Sequence, residues 1–151
     1  MRLLTFQAAR FGWKSEVLGL PELADPAADD SVRDAVVAFV HAEPADVLPA
    51  TRERTLRHAL KHVKWLANKR GLRNVVLHSF THLGSDHAPP AFAKAWLAEL
   101  AAKLTAGRYE VKQTPFGWSC AWELAVFGES LAKVWKEIGA GAEPAEPTTA
   151  G

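Results

Sequence analysis

This chain of 151 residues predicts an α/β fold, a mixed β-sheet with helices packed on one face. Three observations carry that expectation. Two segments place apolar residues at helical spacing. Each is preceded by an apolar run of strand length, so a strand–helix–strand crossover and a parallel pair of strands are implied. Further strand-like segments lie next to one another at both ends of the chain, where short connections favour antiparallel pairing.

The elements are justified in order. "RLLTF" reads as a first strand and "FGWKSEVLG" alternates as a second. "LPELADPAADD" is a loop rich in Pro and Asp. "VRDAVVAFVHA" holds a continuous apolar run, the pattern of a strand buried on both faces. After the connection "EPADVLPAT", Thr51 is placed to cap a helix running from about Arg52 to Lys69. In that helix Leu56, Leu60, Val63 and Ala67 form the buried stripe. Arg57, Lys61 and Lys64 share an adjoining face, and Gly71 is the stop. "NVVLHSF" is another buried strand, and "THLGSDHAPP" a polar loop. Pro90 opens a second helix, "AFAKAWLAELAAKLTAG", which Gly107 ends. "RYEVKQT" and "GWSCAWELAVF" follow as strands, and "ESLAKVWKEI" as a short last helix. Residues 1–138 read as one domain. The Gly/Pro-rich tail 139–151 reads as disordered. No internal repeat is present.

Composition excludes several classes. One cysteine forms no disulfide within the chain and no CxxC zinc pair. No apolar run approaches the roughly 20 residues a membrane helix needs, and the N-terminus lacks a signal-peptide core. A cytoplasmic protein without membrane contact is expected. The net charge of +1 hides a strong asymmetry. Between Glu22 and Asp46 the charges are acidic apart from Arg33. From Arg52 to Arg73 eight basic residues face only Glu53. Such a run reads either as a solvated helix face or as a surface that attracts a polyanion on a nearly neutral protein, with Arg54, Arg57, Lys61 and Lys64 as candidate contacts in the second case.

Chemistry could reside in two further places. "LHSFTHLGSDH" sets His78, His82, Asp86 and His87 at a strand end and in the loop beyond, where a rigid sheet supports exposed side chains. Imidazole and carboxylate suit zinc or iron, so a metal-dependent hydrolase is one reading; polar loop histidines are the other. "TPFGWSCAWEL" holds Cys120 on a strand face with Trp118 and Trp122. A nucleophilic thiol needs a nearby base, cation or helix N-terminus; without one, a cysteine between tryptophans is a small apolar filler.

Three segments, in order and spacing, resemble the editing domain at the N-terminus of archaeal threonyl-tRNA synthetases: "MRLLTFQAA", "VVLHSFTHLGSD", and "YEVKQTPFGWSCAWEL" with "SLAKVW". "VVAFVHAEPAD" is similar to the family strand ending in Val-Glu. The resemblance covers nearly all of the chain before the tail. It implies a fold shared with D-aminoacyl-tRNA deacylases and a homodimer. The implied activity needs no cofactor or metal: hydrolysis of the ester joining a wrong amino acid to the terminal adenosine of tRNA, with the adenosine's own 2′-hydroxyl helping to activate water. By position Ala42, Phe80, Thr81, Phe116 and Gly117 line the site, extended by Trp118, Ser119 and Cys120, and His82 stands at the family histidine. The family's Tyr-Tyr-Lys is Trp118, Ser119 and Cys120 here, its proline before Phe80 is Ser79, and an acidic position near the C-terminus is Lys133. A neutral thiol does not replace an ammonium, so Lys133 is an expected alternative source of the cation. No synthetase module follows in the sequence, so a free-standing domain clearing mischarged tRNA in trans is expected. Two alternatives are a degenerate domain of the same fold that binds a tRNA end or nucleotide, and the metal-dependent hydrolase.

Overall fold

The computed structural model of the protein describes residues 1–139 and 148–149. Its elements are β1 (Arg2–Leu18), β2 (Asp29–His41), α1 (Pro49–Arg70), β3 (Asn74–Ser79), α2 (Pro90–Ala106), β4 (Glu110–Gln113), β5 (Trp118–Val126), β6 (Lys133–Glu137) and β7 (Thr148–Thr149). The sheet runs β4-β3-β2-β1-β6-β7, and β5 also pairs with β1. β2 lies antiparallel to β1 and parallel to β3, which is parallel to β4. Both crossovers step outward in the same direction, which puts α1 and α2 on one face. The expected mixed α/β sheet is present.

Two elements differ from expectation. β1 is one strand of 17 residues, where a break between "RLLTF" and "FGWKSEVLG" is predicted. The residues around Ala9 form a β-irregularity: pairing with β5 shifts register between Ala8 and Arg10. On the neighbouring strand Asp34 takes a positive φ of 48°. A bulge bends and twists a strand without ending it, and it spoils the period-2 pattern that would have shown its continuity. The bend has a topological use. Arg2–Phe6 pair with β6 and Ala8–Leu18 with β5, so two strands share the edge of β1 that lies opposite β2.

The second difference is "ESLAKVWKEI", which is a one-turn 3₁₀ segment followed by strand β6 rather than a helix. Val134 and Lys136 are buried while their neighbours are not, a period of two, and β1 supplies an edge to pair with. A lysine on the buried face hid that alternation. Thr51 is not the cap of α1: Leu48 is, with Pro49 in the first turn, where its missing N–H costs nothing. Of the tail expected to be disordered, residues 140–147 and 150–151 lie outside the described residues; Thr148–Thr149 pair antiparallel with β6.

The sheet separates two apolar clusters. One lies under the helices and joins Leu56, Ala59, Val63 and Leu66 of α1, Trp96, Leu100 and Leu104 of α2, and Leu3, Val36, Ala38, Val75 and Leu77 of the strands. The other, on the opposite face, holds Phe11, Trp13, Val37, Phe39 and Val76. Trp122 of β5 stands 5.4 Å from Phe39 of β2, so β5 curls over that second face instead of extending the sheet. A curled sheet has a mouth, and β3 opens into it.

Candidate active site

A cavity of about 470 Å³ occupies that mouth, between the loop leaving β3, the start of α2, and the turn into β5. That volume lies within the range of small-molecule binding clefts. The loop is held to the end of β2 at both ends: the Phe80 amide donates to Val40 O at 2.9 Å and the Ala88 amide to Ala42 O at 2.9 Å.

The opposite wall is the turn Pro115-Phe116-Gly117. Gly117 has a φ of 86°, and a Cβ there would sit 2.8 Å from Ala24 Cα, so no other residue fits without moving the backbone. The Pro/Asp-rich loop after β1 clasps this turn. Asp25 accepts from the Phe116 amide at 2.9 Å, its own amide donates to Phe116 O at 3.0 Å, and its carbonyl accepts from Trp118 Nε1 at 2.8 Å. Lys94 of α2 pairs with the same carboxylate at 3.2 Å. Gly117 O accepts from the amides of Gly19 and Leu20.

Among the described residues lining the cavity there is no Lys, Arg, Asp or Glu; the titratable groups are His78, His82, His87 and Cys120. His78 is buried, with Nδ1 2.8 Å from Thr114 Oγ1. Burial lowers its pKa to about 4, so the imidazole is neutral at physiological pH. His82 is exposed, and its ring stands edge-on to Phe80 with centroids 5.0 Å apart. Phe80 in turn packs on Phe39 at 5.1 Å. Burial raises the Cys120 pKa, Glu16 adds to the rise, and a hydrogen bond with Ser15 opposes it. The thiol is therefore protonated and a poor nucleophile.

The predicted substrate-binding residues Ala42, Phe80, Thr81, Phe116, Gly117, Trp118, Ser119 and Cys120 all line this cavity, as does His82. Lys133 does not. It lies on β6 opposite Phe6 of β1, so it supplies no cation to the cavity. The histidine loop does not converge on a metal: His78 turns to Thr114, His87 Nδ1 donates to Ala88 O, and Asp86 accepts from the His87 amide. Among the described residues no group of three or more His, Cys, Asp or Glu could hold an ion. Arg54, Arg57, Lys61 and Lys64 lie along one strip of α1, with Arg57 and Lys61 exposed. The sequence reading missed Asp25, which it counted only as one acid among many, and Thr114. Their roles depend on contacts 91 and 36 residues away along the chain, which no local pattern signals.

Comparison with known proteins decides the family. The profile of the archaea-specific editing domain of threonyl-tRNA synthetase matches residues 1–138. The chain belongs to that family. Within it, the threonine–tRNA ligase of Hyperthermus butylicus is 31% identical over 140 residues, covering 89% of this chain and 22% of that protein. That of Methanosphaerula palustris is 29% identical over 145 residues, covering 94% of this chain and 24% of that protein. The editing-domain chain thus spans about a quarter or less of these relatives. In fold it is similar to a c-Myc DNA unwinding element binding protein, with a TM-score of 0.66 at 11% identity over 93% of this chain and all of that one. It is also similar to a probable eukaryotic D-amino acid tRNA deacylase, with a TM-score of 0.52 at 12% identity over 83% of this chain and 93% of that one.

Proposed function

We propose that this editing domain hydrolyses the ester of a mischarged amino acid on the terminal adenosine of tRNA. The observation that carries the reading is the cavity in which the family's motif positions meet, walled by aromatic rings and, among the described residues, lined by no Lys, Arg, Asp or Glu. Phe80, Phe116, Trp118 and Trp122 offer faces and edges to a base, and stacking on one contributes roughly 1–3 kcal/mol. In the reaction water adds to the ester carbonyl carbon, the bond to the ribose oxygen breaks, and the free amino acid and the ribose hydroxyl leave. An aminoacyl ester is already activated, so holding water and ester together supplies most of what the step needs. His82, at the exposed edge of Phe80, is the group assigned to hold that water. Discriminating a substrate from one a methyl larger by binding alone yields only about 10–200-fold, which is why a second hydrolytic site is useful.

The reading extends to partners. The strip Arg54, Arg57, Lys61 and Lys64 is assigned to tRNA phosphates, and the protein to a cytoplasmic homodimer. Among the described residues, no helix is long and apolar enough to cross a membrane. Replacing Arg57 and Lys61 together by glutamate weakens tRNA binding and flattens its salt dependence, measured by filter binding from low to moderate salt.

A panel of mischarged tRNAs incubated with the protein tests the reaction, with His82→Ala as control. Release of one amino acid by the wild type, reduced at least tenfold in His82→Ala, is expected. The absence of a cation where the family has lysine favours one alternative, a tRNA-end binding domain without turnover. Tight binding of the panel with no release by the wild type supports that alternative instead.

A further inference from the structure

The loop that presents His82 has no helix or strand of its own over residues 80–89, yet its neighbour Leu83 is fastened at both backbone groups. The Leu83 amide donates to His41 Nδ1 at 3.0 Å, and His41 Nε2 bonds Asp86 O at 2.7 Å. A carbonyl only accepts and an amide only donates. Nδ1 therefore carries the lone pair and Nε2 the proton, which fixes His41 as one neutral tautomer bridging two points of the loop. His41 ends β2 and is fully buried, and it does not line the cavity.

The Leu83 carbonyl is taken by Arg2, whose Nη1 donates to it at 2.9 Å. The guanidinium also lies against Gly84, where a Cβ would come within 3.2 Å of Arg2 Nε. Arg2 is held from behind by Glu43 at 3.4 Å and Glu137 at 3.6 Å. Two strands of the sheet, β1 and β2, thus each send one side chain to the residue beside His82.

We infer that His41 and Arg2 are positioning residues: they fix the backbone at Leu83 and so hold the His82 ring on Phe80 at the cavity edge. A buried histidine that merely satisfied its own polar atoms would do so with any neighbours. This one instead reads a donor and an acceptor three residues apart in the segment that carries the assigned water-holding group. The functional half of the inference rests on the deacylase reading; the geometric half does not.

The substitutions His41→Phe, which removes both bonds, and His41→Gln, whose amide offers one acceptor and one donor, separate packing from positioning. Deacylation is expected to fall about 10–100-fold in His41→Phe, the scale of a misplaced reacting group, with His41→Gln between it and the wild type. In a His82→Ala background the same His41 substitutions are expected to change the rate less than about twofold, because their effect passes through His82. Losses that multiply in the double variant overturn the positioning role. A second measurement is independent of activity. In His41→Phe the Leu83 amide is expected to exchange with solvent at least tenfold faster, and the His82 ring protons to lose the ring-current shift from Phe80, while the amides of Val76 and Leu77 stay protected. Arg2→Met is expected to shift the same loop signals. Unchanged Leu83 exchange and His82 shifts in both variants overturn the clamp. A wild type inactive on every tRNA refutes the deacylase reading alone, and these signals then decide the clamp.

Discussion

Cys120 is the residue whose chemistry depends most on its surroundings. It presents a half-buried thiol, at a position where the resemblance to the editing domain implies a lysine, and its pKa is pushed up chiefly by burial. A thiol held protonated does not attack an ester at neutral pH. Cys120→Ser is therefore expected to keep at least half of the deacylation rate, and alkylation by iodoacetamide at pH 7 to be slower than for a free cysteine. A covalent acyl-enzyme trapped on Cys120 would refute this. At this scale much of the cavity lining was legible in advance, because Phe80, His82, Phe116 and Gly117 belong to local motifs flanking strands. Asp25, Thr114 and His41 were not. Each acts by a hydrogen bond to a residue at least 36 positions away, and neither hydropathy nor local spacing encodes such a pairing.

Among the elements, the two helices and β3 are placed by an unbroken apolar pattern, although Thr51 marks the start of α1 three residues late, where Leu48 is the cap. β1 and β6 are not, for opposite reasons: a bulge interrupts the alternation of one, and a buried lysine masks that of the other. Burial lowers the pKa of that lysine, Lys136, and Lys61 of α1 lowers it further, the electrostatic trace of placing an amine on the helix side of the sheet. The helix pair itself depends on one large side chain. Trp96 of α2 is fully buried and its Nε1 donates to Thr55 Oγ1 of α1 at 3.1 Å. Trp96→Ala removes that volume and the donor together and is expected to cost about 3–5 kcal/mol, read from urea unfolding. Leu60→Ala, on the half-buried flank of α1, is expected to cost clearly less. Equal costs would mean that the two helices do not pack through Trp96.

For the molecule as a whole, the two clusters on either side of the sheet each enclose or border a neutral histidine, and this makes stability depend on pH. His62, packed under α1 with Nε2 3.0 Å from Thr5 Oγ1, has its pKa lowered to about 3, first by burial and then by Lys136. His78, at the cavity, is lowered to about 4 by burial. The ordinary value, 6.5, applies to both once the chain unfolds. Below that value the unfolded chain takes up protons that the folded chain refuses, so acid favours unfolding. The stabilisation is complete above about pH 6.5 and is lost as pH falls toward the folded values. Each histidine contributes a slope approaching 1.4 kcal/mol per pH unit, hence roughly 3 kcal/mol per pH unit for the pair. Between pH 6.5 and 5 this trend is separated from most carboxylate titration. Urea unfolding across that window is expected to show stability falling with acid. In His62→Gln, which carries no titrating ring, the slope is expected to drop to about half, leaving the part due to His78. A His62→Gln slope equal to the wild-type slope would mean that His62 charges freely in the folded protein, and that the helix-side core admits a proton.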